Sequence, residues 1–102
     1  MSAILEFRDS VGANNGTAVS TSATALPANT ARTGFQIQNQ GTNPLFVYFG
    51  AAGSTIQYNF ILKGCTGAAD GTGGSFSMME GNVYRGLVTV ASVSISYSIL
   101  EL

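Results

Sequence analysis

Apolar and polar side chains alternate through most of this chain, most plainly near its end. Val93, Ile95, Tyr97 and Ile99 take every second position, with Ser92, Ser94, Ser96 and Ser98 between them. In a strand these two sets lie on opposite faces, so the pattern predicts an apolar stripe turned inward and a row of hydroxyls turned outward. Phe35 and Ile37 alternate with Gln36 and Gln38, and Leu45, Val47 and Phe49 alternate with Phe46 and Tyr48. Between these two runs Asn39-Gln40-Gly41-Thr42-Asn43-Pro44 is dense in turn formers, so residues 26–50 read as a β-hairpin.

The remaining segments carry weaker patterns. Residues 2–8 alternate and suit an opening strand or an extended arm. Residues 11–16 are a loop by composition, with Asn15-Gly16 a type I′ turn signal, and residues 17–25 suit an edge strand closed by Pro27. Over residues 54–62, Ile56, Tyr58, Phe60 and Leu62 alternate with Thr55, Gln57 and Asn59, which predicts a half-buried strand. Residues 63–75 are too glycine-rich for a helix or strand and are expected to form a long surface loop. A strand over 76–80, a turn at Gly81-Asn82 and a strand over 83–91, apolar on both faces and hence central, lead into the final run. No helical periodicity, heptad or fixed repeat is present. Seven or eight short strands in 102 residues predict one all-β domain over 1–102, a small antiparallel β-sandwich or jelly roll, with 1–25 as an arm or edge strand.

Composition turns this frame toward contact and away from chemistry. Charged residues make up only 9% of the chain and the net charge is −1, so the surface must be built from Ser, Thr, Asn, Gln and Gly. Such a surface attracts neither phosphate backbones nor anionic lipid, and it leaves little repulsion to keep copies apart. Oligomerisation or docking is the expectation. Arg8, Arg32, Lys63 and Arg85 are scattered, which argues against a nucleic-acid partner. No apolar run approaches the ~20 residues of a membrane span, and no secretory leader is legible behind Met1, so a soluble protein made in the cytoplasm is expected.

Histidine is absent, which removes the commonest general base, the commonest metal ligand and every Ser-His or Cys-His nucleophile arrangement. Lys63 is the one candidate for a Ser-Lys pair and reads as a solvated lysine. Glu6, Asp9, Asp70, Glu80 and Glu101 read as loop and strand-end solubilising charges. Cys65, the only cysteine, excludes an internal disulfide and reads as a small buried hydrophobe. Asp70-Gly71-Thr72-Gly73-Gly74 lacks the Lys-Ser or Lys-Thr of a phosphate loop, and one carboxylate makes a poor calcium site. No catalytic residue, cofactor or metal is therefore expected.

Several of these residues also carry a resemblance. Leu26-Pro27-Ala28-Asn29, Arg32, Ile37-Gln38-Asn39, Thr42-Asn43-Pro44 and Tyr48-Phe49-Gly50 resemble, in order and spacing, the small β-rich virion proteins of tailed bacteriophages, notably capsid decoration or cement proteins. The likeness continues through residues 60–74, Tyr84-Arg85-Gly86 and Glu101, and is least over 1–25. It implies a structural protein on the outer surface of a virion capsid, bound to the major capsid protein, often as a homo-trimer. In such proteins the matched residues are turn formers and core positions. Alternation turns Phe46 and Tyr48 away from Leu45, Val47 and Phe49, so these two are the candidate interface residues unless the strand is covered on both faces. The alternative is a receptor- or glycan-binding module of a tail or head fibre, reading its target through an aromatic-polar loop patch with Tyr58 or Tyr84.

Overall fold

The computed structural model describes residues 12–19, 23–79 and 81–102. Among them eight strands follow one another: β1 (Gly12–Val19), β2 (Ala23–Leu26), β3 (Phe35–Asn39), β4 (Leu45–Phe49), β5 (Phe60–Leu62), β6 (Ser75–Met78), β7 (Val88–Ala91) and β8 (Ser94–Glu101). They form two four-stranded antiparallel sheets, one in the order β1-β8-β3-β6 and the other β2-β7-β4-β5. Strand β1 pairs with β8, β2 with β7, β3 with β6 and β4 with β5. The first half of the chain thus lies back along the second as one antiparallel ribbon. Rolling that ribbon brings β3 against β8 and β4 against β7, which makes the sandwich a jelly roll.

This topology overturns the hairpin reading of residues 26–50. Both strands form where alternation places them, yet β3 lies between β8 and β6 in one sheet while β4 lies between β7 and β5 in the other. Residues 40–44 therefore cross from sheet to sheet. Crossing gives each apolar stripe an apolar partner: Phe35 and Ile37, with Tyr97 and Ile99, pack against Leu45, Val47, Val88 and Val90 across the interlayer space. Full burial of such side chains contributes roughly 1.5–3 kcal/mol each. The consecutive strands that do pair are β4 and β5, and their connection, residues 50–59, is the true hairpin loop.

Other expectations shift as well. Asn15-Gly16 is no turn: β1 runs straight through it, paired residue by residue with β8 from Gly12↔Glu101 to Val19↔Ser94. Eight pairings along an adjacent strand outweigh a local turn preference. Residues 17–25 are divided between β1 and β2, each at the edge of a different sheet. The predicted strand over residues 2–8 lies outside the described residues. β7 is shorter than the 83–91 expected, but all four of its residues are buried and it is central. At the start of the final run the register differs: Ser92 is buried with its hydroxyl donated to Pro44 O at 2.6 Å, and Val93 stands 71% exposed in the β7–β8 turn. From Tyr97 onward the inward stripe is as expected.

Candidate functional site

Two ends and two outer faces of the sandwich are distinguished by what their polar groups do. At one end, Arg32 in the β2–β3 connection is fully buried. Its Nε donates to Glu101 Oε2 at 2.8 Å, Nη1 to Tyr84 O at 2.7 Å and Gly86 O at 3.0 Å, and Nη2 to Pro27 O at 2.7 Å. The guanidinium also lies 5.5 Å from the centre of the Phe35 ring. Asn29 Nδ2 donates to the same carboxylate oxygen at 3.2 Å, and Arg85 Nε donates to Arg32 O at 2.8 Å. Glu101 is therefore no solubilising charge but the buried counterion of Arg32. The residues of the Leu-Pro-Ala-Asn, Arg, Tyr-Arg-Gly and Glu elements, far apart in sequence, converge on this one junction. With its charge paired and its donors engaged, the junction is framework and offers nothing to a substrate.

At the opposite end Asn39 forms the corner where the chain changes sheets. Sequence composition placed it in a loop; it is the buried last residue of β3. Its Nδ2 donates to Asn43 O at 2.7 Å and to Leu62 O and Lys63 O at 3.1 Å, while Oδ1 accepts from Gly41 N at 2.9 Å. The glycine-rich loop docks here, with Cys65 N on Gly41 O at 2.7 Å and the buried Cys65 thiol donating to Asn39 O at 3.3 Å. A side chain on Gly73 would collide with Asn39 O, which explains a glycine at that point. Asp70 closes the loop tip. Hydrogen bonds from the Thr72 hydroxyl and Thr72 N, and from Gly67 N and the Thr66 hydroxyl, hold its carboxyl far below the usual carboxylate range. Its four acceptor positions face this chain's own donors, so the loop is self-capped. Among the described residues no group of three His, Cys, Asp or Glu is placed to hold a metal.

The outer face of the first sheet carries amides and hydroxyls, with Leu100, 37% exposed, opposite Gln36. Gln36 lies opposite Ser77, and Gln38 opposite Ser75 and Ser98. Gln40 Nε2 donates to Gln38 Oε1 at 3.0 Å and to Ser98 Oγ at 3.1 Å, so these three side chains bind one another.

The outer face of the second sheet differs. Leu45 and Val47 are fully buried in the core, which turns Phe46 and Tyr48 outward, both half-buried. Phe46 sits opposite Ile61 of β5, itself 46% exposed, and meets the Tyr58 ring edge-on with centroids 5.0 Å apart. The predicted strand over 54–62 is here broken: Phe60 and Leu62 face the core, Tyr58 leaves that face to join Phe46, and Ile56 stands in solvent. The cause is local. Asn59 N donates to Val47 O at 2.8 Å and Asn59 Oδ1 accepts from Phe49 N at 2.7 Å, bending the chain between 58 and 60, while Ser54 and Gln57 close a turn of their own. Tyr84, named beside Tyr58 in the glycan reading, stacks on Phe49 at 4.6 Å at the edge of the core. The structure thus places Phe46, Tyr48, Tyr58 and Ile61 on one uncharged apolar surface. Sequence reasoning did not single out Ile61 on this surface and assigned the exposed Ile56 to the buried face.

Comparison with protein-family models, with curated proteins and with solved structures found no match, so function is argued from these surfaces.

Proposed function

We propose that this protein is a structural virion component that binds the outer surface of a bacteriophage capsid and stabilises it, acting as a decoration or cement protein. The major capsid protein is the partner, Phe46 and Tyr48 lie in the contact, and the decorating unit is a homo-oligomer, a trimer in the favoured reading. It works by adhesion, without catalysis, cofactor or metal, and engages neither nucleic acid nor membrane. One observation carries this reading: the uncharged aromatic-aliphatic outer face of the second sheet. The resemblance of residues 26–102 to decoration proteins supports it. Jelly rolls serve in virions and in lectins alike, so the fold alone favours neither this role nor that of a fibre adhesin.

Co-sedimentation with intact particles and with empty expanded shells tests the proposal. Pelleting at a fixed number of copies per shell is expected, with a trimer mass under native conditions. A protein that stays in the supernatant with shells, or that adds only to tails, contradicts it.

A further inference from the structure

Asn15-Gly16 is the only Asn-Gly pair in the chain, and its turn chemistry goes unused because β1 passes straight through it. The pair has a second chemistry. The peptide nitrogen that follows an asparagine is the nucleophile nearest its side-chain amide, and glycine, with no side chain, leaves that nitrogen open and the backbone free to turn toward it. Attack of Gly16 N on Asn15 Cγ forms a C–N bond, closes a five-membered succinimide and expels the side-chain nitrogen as ammonia, which carries off the proton of Gly16 N. Water then opens the ring at either carbonyl and leaves aspartate or isoaspartate. No oxidant or enzyme is required.

Other positions are guarded by their neighbours. Asn14, Asn29, Asn39, Asn59 and Asn82 precede Asn15, Thr30, Gln40, Phe60 and Val83, whose side chains crowd the nitrogen, and Asn43 precedes Pro44, which has no N–H. The side-chain amides of Asn39 and Asn59 are also held by hydrogen bonds. Asp70-Gly71 is the acid counterpart, where ring closure must expel water from a protonated carboxyl; Asp70 is instead held as the carboxylate by Thr72, Gly67 and Thr66. At Asn15 the guard is the sheet. Ring closure requires Asn15 to rotate out of the extended backbone of a strand, and that backbone is fixed by the pairings Asn15↔Ser98 and Gly16↔Tyr97. Yet β1 lies at the edge of its sheet, with β8 its one neighbour there. Four of its eight residues are Gly or Asn, which strands disfavour, so its pairing opens at less cost than that of β3 or β8, each flanked on both sides.

We propose that Asn15-Gly16 is a site of spontaneous deamidation, gated by the pairing of β1 with β8, and that its isoaspartyl product keeps the edge strand from pairing again. An isoaspartate routes the main chain through the side-chain carbons and lengthens it by one atom. In a strand paired one to one from Gly12↔Glu101 to Val19↔Ser94, the register then fails on one side of residue 15 or the other. The site is independent of the docking reading.

Peptide mapping of the full chain, incubated at neutral pH both folded and unfolded in guanidinium chloride, follows the conversion of every Asn and Asp. Asn15 should convert first in both states, and at least about tenfold more slowly in the folded one. Thr17 and Ser96 are Cα partners across the two strands, so Thr17→Cys with Ser96→Cys can lock β1 in place. Oxidation of that pair should slow conversion further, and reduction should restore it. The isoaspartyl form, separated by its extra negative charge, should exchange amide hydrogens freely over residues 12–19 while β3 and β7 stay protected. Equal rates in the folded and unfolded chain, or a rate the disulfide does not change, overturn the gate. Faster conversion at any other residue overturns the site, and an isoaspartyl chain with β1 still protected overturns the release of the strand.

Discussion

The Arg32 junction and the Phe46 face invert the usual placement of residues in opposite senses. At the junction a guanidinium and a carboxylate are buried; on the outer side of the second sheet Phe46, Tyr48, Tyr58 and Ile61 stand partly exposed. The junction's polar groups are engaged within the chain, so removing one member leaves a buried charge without its partner. The apolar face has nothing equivalent to lose, because water already covers much of it. Framework and contact surface are therefore separable, and variants at the two places should fail different assays.

The largest effect is expected at the junction. Arg32→Ala should destabilise the fold by about 3–5 kcal/mol, the range for breaking a buried ion pair, measured by chemical denaturation. Arg32→Lys should recover little, since one ammonium cannot serve Glu101, Tyr84 O, Gly86 O and Pro27 O together. A loss under about 1 kcal/mol would remove the junction from the framework. The next effect belongs to the apolar face: Phe46→Ser with Tyr48→Ser should weaken shell binding by at least about 30-fold while a folded protein remains, shown by an unchanged circular dichroism spectrum. Collapse to insoluble protein would instead assign both rings to the core. Smaller still is the expectation for the opposite face, where Gln36→Lys or Ser77→Lys should alter stability within about 0.5 kcal/mol and leave shell binding as it was. A strong loss of binding there would transfer the contact to the amide and hydroxyl lattice.

The smallest effect lies in the self-capped loop. The folded-state carboxyl of Asp70 titrates below its unfolded value, so the loop's contribution to stability is present above about pH 4 and fades as pH falls below it. The carboxyl resonance of Asp70 followed by NMR should remain ionised well into acid. Titration near the ordinary value would mean that the hydrogen bonds from Thr72, Gly67 and Thr66 do not hold in solution.

Much of the fold was legible because period-two alternation marks a strand wherever one face is buried. Phe35–Asn39, Leu45–Phe49 and the end of β8 lie where that pattern sets them. Pairing was not legible, since alternation fixes a strand's faces and says nothing of its neighbours. The residues 26–50 reading failed for that reason alone. Glu101 shares the inward parity of Tyr97 and Ile99, so its burial was implicit in the pattern; the general rule that carboxylates sit outside hid it. Ile56 was misplaced because the alternation of 54–62 continues in sequence across a turn that interrupts it in space. Phe46, Tyr48 and Ile61 were legible as outward residues by parity, whereas Tyr58 needed the bend at Asn59 to be seen.

Electron microscopy of shells saturated with this protein tests the central claim most directly. Density at regular positions on the shell surface, fitted by the sandwich with Phe46 and Tyr48 against the capsid and the Gln36–Ser77 face turned outward, is the result expected. Density confined to the tail, or the sandwich seated on the shell by its polar face, would contradict it.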